Sequence, residues 1–167
     1  TQRILEISLH WPEKQDSLSV RSEDLITLAG QLLRDNPPAA DSYTPGELVS
    51  LLEQAASPVD GAGAADPYSA LTGQPANLLA HTLALELLLQ QAGFDVTFVN
   101  GMVNGADTCW LIVDAGEGYR HLLLTDETPA LYTDLELTAL GYLWNADLYP
   151  DCVDYDTALS TTQTPGE

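Results

Sequence analysis

Positive charge is what this sequence most lacks: 5 Lys and Arg stand against 25 Asp and Glu in 167 residues, a net charge of −20. That balance speaks against nucleic acid or an anionic membrane as partner, because both are held by Lys and Arg that neutralise phosphate. It implies a solvated, self-repelling surface, with a basic partner or a cation-rich setting as the sharper alternative. No apolar run approaches the about 20 residues that span a bilayer, so no transmembrane helix is expected, and no signal peptide stands out. The chain opens at Thr1 without methionine, which fits a mature form with an export signal removed, or a cut in a longer chain. Cysteine and histidine are sparse too. Cys109, Cys152 and 3 scattered histidines have no zinc-site spacing, so neither a metal nor a cofactor is expected. There is no internal repeat.

What is present is apolar material enough for one domain. Hydrophobic residues make up 45% of the chain, and a chain of this length buries roughly two-thirds of its unfolded surface. The organising stretch runs from Asp66 to Gly93. A short polar turn leads into a helix whose leucines at 78, 79, 83, 85, 87, 88 and 89 surround the axis. A helix apolar on nearly every side belongs in the interior. Ala92-Gly93 closes it, since glycine best tolerates the left-handed cap.

Ahead of that helix, Ile4 to Trp11 alternates as a strand that Pro12 ends, and Asp16 to Val20 reads as a loop or short strand. Ser22 is then expected to cap a helix with Leu25, Ile26, Leu28, Ala29, Leu32 and Leu33 on one face, stopped by Pro37-Pro38. Thr44-Pro-Gly-Glu47 is a capping box for a second helix. Ser57 to Pro67 is a small-residue connection. After the central helix come a strand Val96–Val99, a turn at Asn100-Gly101, a strand Thr108–Val113, a loop Asp114–Gly118 and a strand Tyr119–Thr125. Thr133-Asp-Leu-Glu136 opens a short helix that Gly141 closes. A helix followed by an antiparallel meander is an α+β pattern.

Tyr68-Ser-Ala-Leu71, the glycine-containing turn after it, and a helix ending Leu-Leu-x-x-Ala-Gly before a strand resemble bacterial transglutaminase-like domains. The stretch from Leu140-Gly-Tyr-x-Trp to Tyr149-Pro-x-Cys152 is similar to secreted members of that family. The likeness covers Tyr68 to Cys152, roughly half the chain. It implies a papain-like core, with residues 61–152 as that core, 1–60 as an added strand and two helices, and 153–167 as a frayed acidic tail of one structural domain. It also implies a Cys-His-Asp triad, with the Cys at the start of the central helix, where the dipole helps ionise a thiol. The matching positions here hold Leu78, Thr108 and Leu123. None of these can act as nucleophile, base or orienting acid. The resemblance therefore implies a pseudoenzyme.

The expectation is an inactive transglutaminase-like domain serving as a binding or structural module in an extracellular or cell-envelope setting. Its partner would be a peptide, protein or glycan held in a relic cleft of Trp110, Tyr119, His121 and His81, with Tyr142 and Trp144 as further aromatic lining. One alternative is an enzyme rebuilt from Cys109, His121 and an acid such as Asp126; another is an architectural domain of a larger envelope protein. Cys109 and Cys152 are a possible disulfide in an oxidising compartment. Asp107, Asp114, Glu117, Asp126 and Glu127 gather at strand ends without calcium-loop spacing and read as a solvated rim.

Overall fold

The central helix forms as expected and everything else is arranged around it. In the computed structural model, residues 15–55, 63–124 and 131–154 are described, with side chains from residue 23 onward. Helix α4 spans Leu78–Gln91; the Asn77 side chain caps it by accepting from Ala80 N–H. Gly93, at φ 92°, closes it. There Phe94 N–H reaches Leu89 C=O and Gly93 N–H reaches Gln90 C=O, the paired bonds of a glycine-terminated helix. Ala80, Ala84, Leu85, Leu88 and Leu89 are fully buried.

Among the described residues three helices precede it. Helix α1 runs Gln15–Asp35, so the expected loop at Asp16–Val20 is helical and Ser22 is interior rather than a cap. The reason is that no Gly or Pro interrupts residues 13–29, and the polar residues there carry only a small propensity penalty. Helix α2, Pro45–Ala55, starts at the expected box: Thr44 Oγ1 accepts from Glu47 N–H while Glu47 Oε2 accepts from Thr44 N–H. A one-turn helix α3, Pro67–Leu71, capped by Asp66, replaces the expected polar turn. The expected strand at Ile4–Trp11 lies outside the described residues.

The sheet is antiparallel with strand order β4-β3-β2-β1-β5, where β1 is Val96–Val103, β2 Ala106–Asp114, β3 Tyr119–Leu122, β4 Leu131–Tyr132 and β5 Tyr142–Leu143. The chain is thus α+β. Helix α5, Asp134–Ala139, follows β4 with the complete Thr133–Glu136 capping box, and a single 3₁₀ turn, Ala146–Leu148, follows β5.

The β1–β2 turn departs from expectation. It falls at Asn104-Gly105, with φ of 53° and 80°, not at Asn100-Gly101, which lie inside β1 opposite Cys109 and Thr108. Two positive φ values define the hairpin turn that Asn-Gly favours, and only the second Asn-Gly occupies it. The first glycine has another job. A Cβ on Gly101 would collide with the Trp110 ring and lie 2.5 Å from Leu143 C=O, so Gly101 leaves the space the indole fills.

Strand alternation splits the core in two. Leu111, Val113 and Leu122 face α4 and join Leu48, Leu52, Leu85 and Leu88. Val99, Trp110, Ile112 and Leu123 face the other way, under Leu137 of α5 and Cys152. The segment 131–154 therefore covers the second face. Of the expected tail, Val153 and Asp154 are held in place, since Arg120 donates to Val153 C=O and pairs with Asp154 at 2.8 Å; its remainder lies outside the described residues.

Candidate functional site

The chemistry-bearing side chains fall into two groups on opposite faces of the sheet. On the α4 face, the Cys109 thiol lies 3.6 Å from Thr82 Oγ1 and donates to it. Thr82 has spent its own proton on Leu78 C=O, one helical turn back, at 2.9 Å. Cys109 thus ends a chain of hydrogen bonds at the first turn of α4, with a hydroxyl as partner instead of a base. Burial pushes its thiol above the ordinary 9.0, a rise the Thr82 contact only partly offsets. A thiol held protonated is a poor nucleophile.

His81 belongs to the same helix. It is buried, and its Nδ1 lies 3.0 Å from Asn77 C=O, so Nδ1 carries the proton in that bond. Tyr119, on β3, donates its hydroxyl to Asp95 at 2.6 Å. His81 thus sits on the α4 side of the sheet, whereas Tyr119 packs against the second core, on the face that holds Trp110 and His121.

On the second face, His121 is fully buried. Trp110 Nε1–H donates to its Nδ1 at 2.9 Å, and its Nε2 lies 2.8 Å from Asp134 Oδ1. An indole N–H can only donate, so Nδ1 must offer a lone pair and Nε2 must carry the hydrogen given to Asp134. The tautomer is thereby fixed. Burial pulls the imidazole below its ordinary 6.5, and the Asp134 carboxylate pulls back less strongly. Asp134 is tied in turn to the chain's later turn: its Oδ2 accepts from Cys152 N–H at 2.9 Å, and its own N–H donates to Cys152 C=O at 2.7 Å. Trp144 packs edge-on against both His121 and Trp110, at centroid distances of 4.7 and 5.9 Å, and Tyr142 against Trp110 at 5.5 Å.

Sequence reasoning overlooked Asp134. Its signal was there, as the acid directly after a helix-capping Thr133, but that pattern reads equally as dipole compensation. Asp126, the acid expected beside His121, lies outside the described residues.

His121, Asp134 and Cys152 bring three possible ligand atoms within 4.8 Å of one another. The arrangement does not suit a cation. Nε2 could bind a metal only if the proton moved to Nδ1, where the Trp110 N–H already points. The Cys152 thiol is pushed up to about 12, by burial first and the Asp134 charge second. The trio is a hydrogen-bonded clasp. Of the acids considered for calcium, Asp107 and Asp114 stand near opposite ends of β2, roughly 23 Å apart at strand rise, and Asp126 and Glu127 lie outside the described residues. Asp114 Oδ1 instead accepts from Gly116 N–H in the hairpin loop.

Of the inferred relic positions, Leu78 stands apart from Thr108 and Leu123. Leu78 starts α4, Thr108 alternates with Cys109 and so shares the Trp110 side, and Leu123 is buried in the second core. A single open cleft lined by all three does not form. Cys109 and Cys152 are both free thiols; the sheet stands between them, which is why the possible disulfide is not made. No protein-family model matches the chain, and neither a curated protein nor a solved structure does.

Proposed function

We propose that the chain is a transglutaminase-like domain with a papain-like core that carries no chemistry and serves as a binding or structural module, in a bacterial cell-surface or envelope setting. The observation that carries this reading is the commitment of Cys109 and His121 to different partners on opposite faces of one sheet. Thiol catalysis needs a base within hydrogen-bond reach of sulfur and a third group to orient that base. His121 has its orienting acid in Asp134 but is turned from the thiol, and both its ring nitrogens are occupied. Leu78, Thr108 and Leu123 offer no substitute.

The test is a turnover assay on glutamine-containing peptides with a primary amine, reading ammonia release and amide exchange by mass spectrometry. The expected result is no turnover above buffer, before or after iodoacetamide. Turnover that vanishes in Cys109→Ser would overturn the reading and establish a rebuilt thiol site.

A further inference from the structure

The buried imidazole is placed where it can be neutral but not charged without cost. Asp134, the imidazole's acceptor, ties α5 to the end of segment 131–154, beside the strand pairing of β4 and β5 and the Arg120 contacts to Val153 and Asp154. His121 reaches Asp134 at the start of α5, and Asp134 reaches both the N–H and C=O of Cys152. A second proton on the ring could go only to Nδ1, since Nε2 already bears one. It would then face the Trp110 N–H across the present 2.9 Å, two donors with no acceptor between them. We propose that His121 is an acid-sensitive latch: its protonation releases α5 and Cys152 from the second face of the sheet and uncovers Trp110.

The surroundings leave His121 as the group that responds. From α5 it meets Asp134; from the segment beyond, Cys152; from β4, its cross-strand partner Tyr132. Tyr142 reaches the cluster from β5 by way of Trp110. On β3 itself Arg120 is the adjacent residue, engaged by Asp154, and Glu136 of α5 feels its charge. Tyr142 and Cys152 are both pushed up, chiefly by burial, so they keep their protons throughout the acid range. Glu136 is held low by its Thr133 bonds.

The sign follows from linkage. The unfolded or opened chain has an ordinary histidine, while the closed one binds its proton less readily. The open state therefore takes up a proton on acidification. The latch's contribution is complete above the ordinary value of 6.5 and is lost as pH falls through the depressed value of the closed form.

The experiment is hydrogen exchange, resolved by peptide, on the whole chain from pH 8 to pH 4.5 with rates corrected for intrinsic pH dependence. Trp fluorescence in a Trp11→Phe background runs in parallel. Protection in α5 and at Cys152 is expected to fall at least tenfold, with a midpoint below 6.5, while α4 keeps its protection and the emission shifts red. His121→Gln supplies the control: its amide can accept from Trp110 and donate to Asp134 but does not titrate, so the transition is expected to vanish. A transition that persists unchanged in His121→Gln would assign it to another group and overturn the latch. Simultaneous loss of α4 protection would overturn it as well, because that is global unfolding. Should His121→Gln not fold, nitrogen-15 NMR of the wild-type ring decides. A neutral Nε2–H tautomer that titrates below 6.5 in step with opening supports the latch; an Nδ1–H tautomer or a ring that titrates higher refutes it.

Discussion

Gly101 and Trp110 show how one side chain determines its neighbours. The indole lies over β1 because position 101 has no Cβ, and it spends its N–H on His121. Replacing Gly101 with Ala inserts a carbon into filled space, and overpacking of this kind costs about 1–3 kcal/mol. Urea denaturation of Gly101→Ala is expected to show a midpoint lowered to match; an unchanged midpoint would mean the ring has room to move. Asp134 is the other residue of consequence. Removing its carboxylate leaves the His121 Nε2–H and the Cys152 N–H without acceptors. Asp134→Ala should therefore cost about 2 kcal/mol, reduced from the sum of two lost bonds because water reaches this half-buried group. Asp134→Asn, which keeps one acceptor oxygen, should cost less. The same denaturation series measures both.

At the scale of elements, the signals that were local in sequence were legible and those that depended on tertiary partners were not. The leucine ring of α4, its Gly93 stop, and the capping boxes at Thr44 and Thr133 all act within one or two turns, and all three helices form where those residues say. Thr133→Ala should cost about 1 kcal/mol and raise exchange in the first turn of α5; no change in that turn would remove the cap from the account. The two Asn-Gly pairs were ambiguous because either could turn a hairpin. The choice between them is made by Trp110, nine residues after the first of those glycines, which no local pattern reports. The candidate site was half legible. Cys109, Trp110 and His121 were recognisable by type, and alternation correctly separates Thr108 from Cys109. What sequence could not supply is that β3 turns His121 to the face covered by α5, nor that Asp134 completes its hydrogen bonding.

For the whole molecule the dominant number is the net charge of −20. Such self-repulsion disfavours the compact state, and added salt screens it over a distance of about 10 Å at 0.1 M ionic strength. The thermal midpoint is expected to rise as NaCl increases from 20 to about 300 mM, even though the exposed Arg120–Asp154 pair weakens over that range. A midpoint that falls would mean that specific ion pairs outweigh the general repulsion. Among the described residues no helix is long and apolar enough to cross a membrane.

The division of the core by the sheet is the central claim, and the pH dependence of Cys109 alkylation tests it most directly. Iodoacetamide reacts with the thiolate, so the rate at Cys109, assigned by mass spectrometry, traces its ionisation. An isolated, partly buried thiol should show a single rise, centred above 9.0, that is the same in wild type and in His121→Gln. A reactive plateau near neutral pH that disappears in His121→Gln would mean that sulfur and imidazole share a site after all, and the non-catalytic reading would fall with it.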